Sequence, residues 1–273
     1  MPVSDDIKKQ HKKVEKMSKK GKFEYFWEYY RIPTIVAIIA VVFVVMLIHD
    51  VTSQLPYGFY ATMVNSSSAT ENVEETIENE FADYAGIDQK SYECYIDTTT
   101  TLDLNGGSQY DMANQSKLVA VISTKDLDVM VADPSVFAQY SGNDAFTDLR
   151  TVLSDEQLEE YKDNLYYIDY AVVSAEQTSE EIAADEEASQ EASESATDEY
   201  GETTSSSSII APSDFVKPDP STMEDPIPVG IILTDSPKLS EMQMYLGTVP
   251  IFGIPANTTR IDTALQYLSY LES

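Results

Sequence analysis

Three kinds of residue are scarce in this chain, and each shortage excludes a class of protein. Its 273 residues include a single cysteine, Cys94, so no internal disulfide framework can form, and we expect this thiol to be a small buried apolar side chain. The only histidines, His11 and His49, precede the predicted folded part, which therefore lacks an imidazole for a Ser-His pair, a Cys-His pair or a metal site. The 17 Lys and Arg residues stand against 47 Asp and Glu, and a net charge of −30 repels nucleic-acid phosphate. These shortages favour a non-catalytic protein without a metal, a cofactor or a nucleic-acid partner.

One long apolar run, residues 32–48 (IPTIVAIIAVVFVVMLI), contains no charged residue. A run of this length predicts a membrane-spanning helix, because lipid offers no partner for backbone polar groups and a helix pairs them internally. A buried core helix of a soluble protein is the alternative, but one face of such a helix would carry polar residues. We therefore assign residues 32–49 to a transmembrane helix and expect the lipid bilayer to be a partner.

The charges that flank this run predict its orientation. In residues 1–31 basic residues outnumber acidic ones, whereas the next lysine after the run is Lys90. Because positive segments stay inside, residues 1–31 form a predicted cytoplasmic tail and the rest lies outside, behind a short tether at residues 50–56. A signal-peptide cleavage site at Ser53 stays open, although the long basic region favours an uncleaved signal-anchor.

After the tether, segments with the two-residue period of a strand alternate with segments of helical period. Strands are predicted at residues 57–64, 92–96, 127–132, 166–173, 227–235 and 248–254, and helices lie between most of them and over residues 261–271. This alternation predicts one α/β domain with a single layered sheet over residues 57–273.

Helix starts are predicted where a side chain can accept a hydrogen bond from a free backbone N–H group. These are Ser68 with Glu71, Asp133 with Pro134, Ser154 with Gln157, and Asn257 or Thr258.

A change of composition interrupts the domain at residues 174–226. From 174 to 208 the chain is mostly Glu, Asp, Ser, Thr and Ala without Lys or Arg, and prolines follow. Such a segment buries too little apolar surface to offset its ordering entropy, so it predicts a disordered acidic insertion. A spacer or glycosylated segment that contacts wall polymers is the functional alternative.

Polar residues follow the predicted strands, and ligands of open α/β sheets bind at the carboxyl ends of strands. The candidate ligand-binding residues are Asn65, Ser66, Asp97, Thr98, Asp133 and Asn257. The loop from Asp97 to Ser108 also has oxygen ligands suited to calcium, but it lacks regular acidic spacing. We interpret it as an Asx- and Gly-rich turn and expect no metal.

Two stretches resemble extracellular solute-binding proteins of the type 2 periplasmic-binding fold. They are LDVMVADPSVFAQYSGNDAFTDLRTVLSDEQLEEY, where Asp133, Phe137, Phe146, Asp148, Leu149 and Leu153 match, and TVPIFGIPANTTRIDTALQYLSYL, where Ala264, Leu268 and Leu271 match. The segment KFEYFWEYYRIPTIVAIIAVVF is similar to the anchor of uncharacterised membrane proteins of Gram-positive bacteria. Such binding proteins close two lobes around a ligand, whereas this chain has length for about one lobe.

The resemblance implies a membrane-anchored, solute-binding-like domain that acts as a ligand-binding or sensing accessory module for a small solute. The alternative is a non-catalytic cell-envelope protein that contacts a neighbouring membrane or envelope protein or a wall polymer. The missing second lobe and the acidic insertion favour this alternative, and an enzyme ranks third because no nucleophile-base pair or metal cluster is evident.

Overall fold

The structure is a computed structural model, and it describes residues 19–53, 55–68, 72–105, 107–174 and 209–273. The chain divides into two compact units, Met1–Leu55 and Pro56–Ser273. Most of the predicted cytoplasmic tail (residues 1–18) and most of the predicted acidic insertion (residues 175–208) lie outside the described residues.

The first unit contains helix α1, Lys19–Ser53, which is longer than the predicted span at both ends. Pro33 lies inside this helix, and the tether predicted from residue 50 is helical as far as Ser53. The apolar side chains of the run are exposed as far as Leu47, with 66% of Ile32 and 51% of Val44 accessible to solvent. Among the described residues, no helix combines the length and the apolar character that crossing a membrane requires.

The second unit is built on one six-stranded mixed sheet with the strand order β2-β1-β3-β6-β5-β4. Strands β1 to β3 are parallel, and β6, β5 and β4 each run antiparallel to the preceding neighbour in that order. The strands are β1 Tyr57–Met63, β2 Glu93–Asp97, β3 Val129–Ala132, β4 Leu165–Asp169, β5 Pro226–Ile232 and β6 Ile251–Gly253. The predicted α/β class with a single sheet is confirmed.

Helices cover both faces of this sheet because alternate side chains of each strand point to opposite faces. In β1, Phe59, Ala61 and Met63 pack with α2 and α7, whereas Tyr60 lies on the face of α3 and α4. The helices are α2 Val73–Ala85, α3 Gln109–Ser123, α4 Pro134–Gly142, α5 Asp155–Glu160, α6 Pro237–Glu241 and α7 Ile261–Leu271, with 3-10 turns at Leu149–Thr151 and Pro220–Thr222. The buried face of α7 matches the predicted helical spacing, but α6 was not predicted.

Two of the four predicted helix caps are confirmed. The carboxylate of Asp133 accepts from the backbone N–H of Ser135 and Val136 at the start of α4, and Ser154 forms a full capping box with Gln157.

The other two caps are wrong. The hydroxyl of Ser68 donates to the carbonyl of Met242 instead, at 2.6 Å, and α2 begins after Asn72, which makes no side-chain cap. At the last helix the N-cap is Arg260, which follows the predicted caps Asn257 and Thr258 in the chain. The side chain of Arg260 makes no capping hydrogen bond.

Two further predictions about chain segments need correction. The strand predicted to reach residue 173 ends at Asp169, where the carboxylate accepts from the N–H groups of Ala171, Glu224 and Asp225, and residues 170–174 are helical. The predicted disorder does not extend over residues 209–226. That part is held by side-chain contacts, since Lys217 donates to the carbonyl of Asp163 at 2.7 Å.

Candidate functional site

The parallel strands β1, β2 and β3 end at the same edge of the sheet, and Asn65 ties together the loops at this edge. Asn65 follows β1 in the left-handed conformation, with φ 58°. Its amide nitrogen donates to the carbonyl of Leu102 at 2.9 Å and to the carboxylate of Asp133 at 2.7 Å. Its amide oxygen accepts from the N–H of Leu102 at 2.8 Å. Asn65 therefore joins the loops after β1, β2 and β3.

Asp97, at the end of β2, is fully buried and organises the loop that follows it. Its carboxylate accepts from the N–H of Thr99, the hydroxyl of Thr100 and the ammonium of Lys117, the last at 2.6 Å. Burial acts to raise the pKa of Asp97, but Lys117, Thr100 and Thr99 together lower it below its ordinary value. Within the described part of the chain no group of three or more His, Cys, Asp or Glu side chains is placed to hold a metal ion.

Five of the six predicted ligand residues lie at this edge. Ser66 donates its hydroxyl to the carbonyl of Thr98 at 2.9 Å, and both oxygens of Asp133 accept from other groups of the protein. These residues are brought together as predicted, but their hydrogen-bonding capacity is used to hold the loops.

Asn257 lies elsewhere. Because β6 runs antiparallel to β3, the loop after β6 reaches the opposite edge of the sheet, where the amide of Asn257 donates to the carbonyl of Ile122 at 2.6 Å. Carboxyl ends of strands meet at one edge only where the strands are parallel, so the antiparallel β6 separates Asn257 from the other five residues.

A cleft of about 290 Å³ opens beside Asn65 at the edge where β1 ends. Its other lining residues are Ser67, Thr101, Leu102, Asp103, Asp111 and Ile209. None of these six residues was predicted to bind a ligand, although Ser67 directly follows Ser66 and Asp103 lies in the same loop as Thr98. Proximity to the end of a strand could have identified Ser67 and Asp103 from the sequence. Only the fold brings Ile209 to the lining of the cleft.

The cleft is acidic. Asp111 accepts from the hydroxyl of Ser108 and from the N–H of Asp103, and these hydrogen bonds lower the pKa of Asp111. Both carboxylates, Asp103 and Asp111, belong to the described lining, which contains no Lys or Arg. The cleft therefore suits a neutral or cationic solute and repels an anionic one.

The opposite edge contains a buried ion pair that the sequence did not reveal. Asp128 is fully buried and accepts from the guanidinium of Arg260 at 2.8 Å, from the hydroxyl of Thr258 and from the N–H of Tyr60. Burial raises the pKa of Asp128, although these three donors act in the opposite direction. The pair joins β1, the start of β3 and the loop before α7.

Cys94 is buried in the core, as predicted, and its burial raises the pKa of its thiol to about 12. A thiol with such a pKa forms almost no thiolate at neutral pH and is inert.

Comparisons with protein-family models, with curated proteins and with solved structures found no match. The resemblance to solute-binding proteins therefore stays a prediction, and the functional argument depends on the geometry of the cleft.

Proposed function

We propose that this chain is a membrane-anchored module whose α/β unit resembles one lobe of a type 2 solute-binding protein and binds a small neutral or cationic solute. The observation that supports this proposal is the acidic cleft of about 290 Å³ at the carboxyl ends of parallel strands, the usual ligand position in open α/β sheets. The role is one of binding or sensing rather than catalysis, because no histidine follows residue 49.

A single lobe supplies one wall of a binding cleft, so the free module binds its solute weakly. A neighbouring membrane or envelope protein that covers the cleft would bury more of the solute and increase the affinity. The module is therefore an accessory component that acts beside a partner.

Substitution of Ser67 by tryptophan tests the cleft. Ser67 is exposed on the lining, so a bulky ring there fills the cleft without entering the core. In a thermal-shift screen of the full chain in detergent micelles, we expect arginine or spermidine to raise the melting temperature of the wild type. The same solute should give no shift with Ser67→Trp.

Ser221→Trp is the matched control, because Ser221 is exposed on the 3-10 turn Pro220–Thr222 and should leave the shift unchanged. Citrate is the anionic control and should give no shift. An equal shift in Ser67→Trp and in the wild type would show that the solute binds outside the cleft.

The anchor is proposed from the apolar run at residues 32–48 and from the basic residues that precede it. The apolar side chains of residues 32–47 are exposed on α1. The N-terminus is then cytoplasmic and the α/β unit extracytoplasmic, at the plasma membrane. This placement gives the accessory module access to solutes outside the cell.

Cysteine labelling tests this topology, because native Cys94 is buried and inert. In intact cells, we expect a membrane-impermeant maleimide to label Ser221→Cys and not Ser4→Cys. Permeabilised cells should show both variants labelled, and the wild type should stay unlabelled throughout. Labelling of Ser4→Cys in intact cells would contradict the orientation, and loss of an N-terminal tag from the mature chain would show cleavage instead of a signal-anchor.

A second candidate is a non-catalytic cell-envelope protein that binds a neighbouring protein or a wall polymer through this edge. The saturation of Asn65, Asp97 and Asp133 by protein partners favours it, since few deep polar groups remain for a small solute. Absence of any solute-induced shift, together with a specific crosslink from position 67 to one membrane component, would favour this candidate over the first.

A further inference from the structure

A second groove lies between α3 and α4 on one face of the sheet. It has a volume of about 220 Å³, and Val119, Ile122 and Ala145 give it apolar walls. Amide side chains, among them Gln115 and Gln139, complete the lining, and none of its described lining residues is charged. The groove thus suits a small uncharged molecule.

Tyr140 lines this groove, and only 7% of its surface is exposed. Its hydroxyl has no hydrogen-bond partner among the described residues. A buried hydroxyl without a partner lowers stability, so each such group in a native protein calls for an explanation, and a bound ligand is one. Burial raises the pKa of Tyr140 to about 12, so the hydroxyl is protonated at neutral pH and can donate to a ligand oxygen.

A second buried polar atom without a partner lies next to the wall of the groove. Asn257 donates its amide nitrogen to the carbonyl of Ile122, but in the described part of the chain its amide oxygen is buried and accepts nothing. Asn257 is not one of the described lining residues, so the buried group that can bind a ligand in the groove is the hydroxyl of Tyr140, a donor. An acetamido group offers a carbonyl oxygen as the acceptor and a methyl group for the apolar walls.

We propose that this groove binds an uncharged secondary amide, such as the acetamido group of an N-acetylated sugar. The carbonyl oxygen accepts from the hydroxyl of Tyr140, and the methyl group packs against Val119, Ile122 and Ala145. The amide side chains at the rim are left for the hydroxyl groups of the sugar. Protein atoms cover the hydroxyl of Tyr140, so the ligand reaches it when a rim side chain rotates. Gln115 and Gln139 are exposed and unbranched, which makes that rotation easy.

Saturation-transfer NMR of the full chain in detergent micelles tests this site with N-acetylglucosamine and glucose, which differ in the acetamido group. We expect a saturable signal on the acetyl methyl group of N-acetylglucosamine and none from glucose. Tyr140→Phe removes only the hydroxyl and should weaken binding about three- to tenfold, the usual cost of losing one hydrogen bond. Tyr161→Phe is the matched control, because Tyr161 bonds to Glu272 instead and should leave binding unchanged.

The other outcomes overturn the proposal. If N-acetylglucosamine gives no saturable signal, or binds Tyr140→Phe as well as the wild type, the hydroxyl is merely an unpaired group. In that case Tyr140→Phe should raise the melting temperature without changing any binding. Ser67→Trp separates this site from the acidic cleft, because it should leave binding of N-acetylglucosamine unchanged. Loss of binding in Ser67→Trp would place the sugar in the cleft instead.

Discussion

Phe137→Ala should lower the free energy of unfolding by about 3–5 kcal/mol, the cost of truncating a buried phenylalanine. The side chain is fully buried, and its ring stacks on Phe146 at a centroid distance of 4.4 Å with an interplanar angle of 5°. It also contacts Tyr166 edge-on at 5.1 Å. Alanine would leave a cavity between α4 and the sheet that these rigid rings fill poorly.

Two strand glycines make this loss hard to repair. A Cβ atom on Gly230 would lie 2.6 Å from the Cζ of Phe137, and one on Gly253 would lie 2.7 Å from its Cε2. The ring therefore rests directly on the backbone of β5 and β6, and Gly253→Ala should also destabilise the wild type. In the Phe137→Ala background, however, Gly253→Ala should cost less, because one of the two clashing rings is gone and only that of Phe146 remains, 2.8 Å from the added Cβ.

Urea denaturation of the full chain and of these variants measures both effects. Val216→Ala is the control, since Val216 is 84% exposed and its truncation should change stability by less than about 0.5 kcal/mol. A loss of less than about 1 kcal/mol in Phe137→Ala would contradict the assignment of Phe137 to the centre of this core. Additive effects of the two substitutions would contradict the contact with Gly253.

Arg260→Met should cost about 3–5 kcal/mol at neutral pH, because it leaves the carboxylate of Asp128 buried without its cation. Asp128 is fully buried, and methionine keeps most of the aliphatic stem of Arg260 while removing the donor at 2.8 Å. The hydroxyl of Thr258 and the N–H of Tyr60 still donate to Asp128 in this variant, but both are neutral and neither balances the negative charge of the carboxylate.

The dependence of this loss on pH follows from the pKa of Asp128, which burial raises in the folded state. The folded protein then binds this proton more tightly than the unfolded chain does, so ionisation of Asp128 costs stability above the folded-state pKa and the cost disappears below it. Loss of the guanidinium raises this pKa further. The deficit of Arg260→Met relative to the wild type should therefore be full at neutral pH and shrink as the pH falls through the acidic range.

Denaturation of the wild type and the variant from neutral to acidic pH checks this expectation. In the Asp128→Asn background no carboxylate titrates at position 128, so the difference in stability between Asp128→Asn and Asp128→Asn/Arg260→Met should not depend on pH in this range. A deficit in Arg260→Met that does not change with pH would contradict the role of the ion pair.

Patterns within short stretches of sequence correctly predicted the elements that depend on residues close together in the chain. The alternation in β1, the i, i+3, i+4 spacing in α7 and the caps at Asp133 and Ser154 are all present in the structure. A helix cap joins groups two or three residues apart, so short stretches of sequence suffice to recognise it.

Elements that depend on distant partners were mispredicted. The apolar segment after Tyr166 leaves the strand conformation at Asp169, whose carboxylate accepts from Glu224 and Asp225, more than fifty residues away. Helix α2 begins after Asn72 rather than at Ser68, whose hydroxyl donates to the carbonyl of Met242 across the fold. No local pattern contains such partners.

In the candidate site too, the features that depend on nearby residues were predicted and those that depend on distant partners were not. Proximity to strand ends predicted that Asn65, Asp97 and Asp133 would gather at one edge, and they do. It could not predict that they bond to each other and to the loops, nor that the open cleft is lined by Ser67 and Asp111 instead. Which polar groups are left for a ligand depends on which ones the packed loops have already paired.

By itself the sequence determined the α/β class, the order of most elements, most of the buried face of α7 and the acidic character of the chain. These follow from the periods of helix and strand and from composition, which are local quantities. Only the tertiary structure decided the reversed direction of β6, the position of Asn257, the ion pair of Asp128 with Arg260 and the unpaired hydroxyl of Tyr140. Each of these depends on the direction of a strand or on a contact between distant residues, and both arise when the sheet assembles and its two faces are covered.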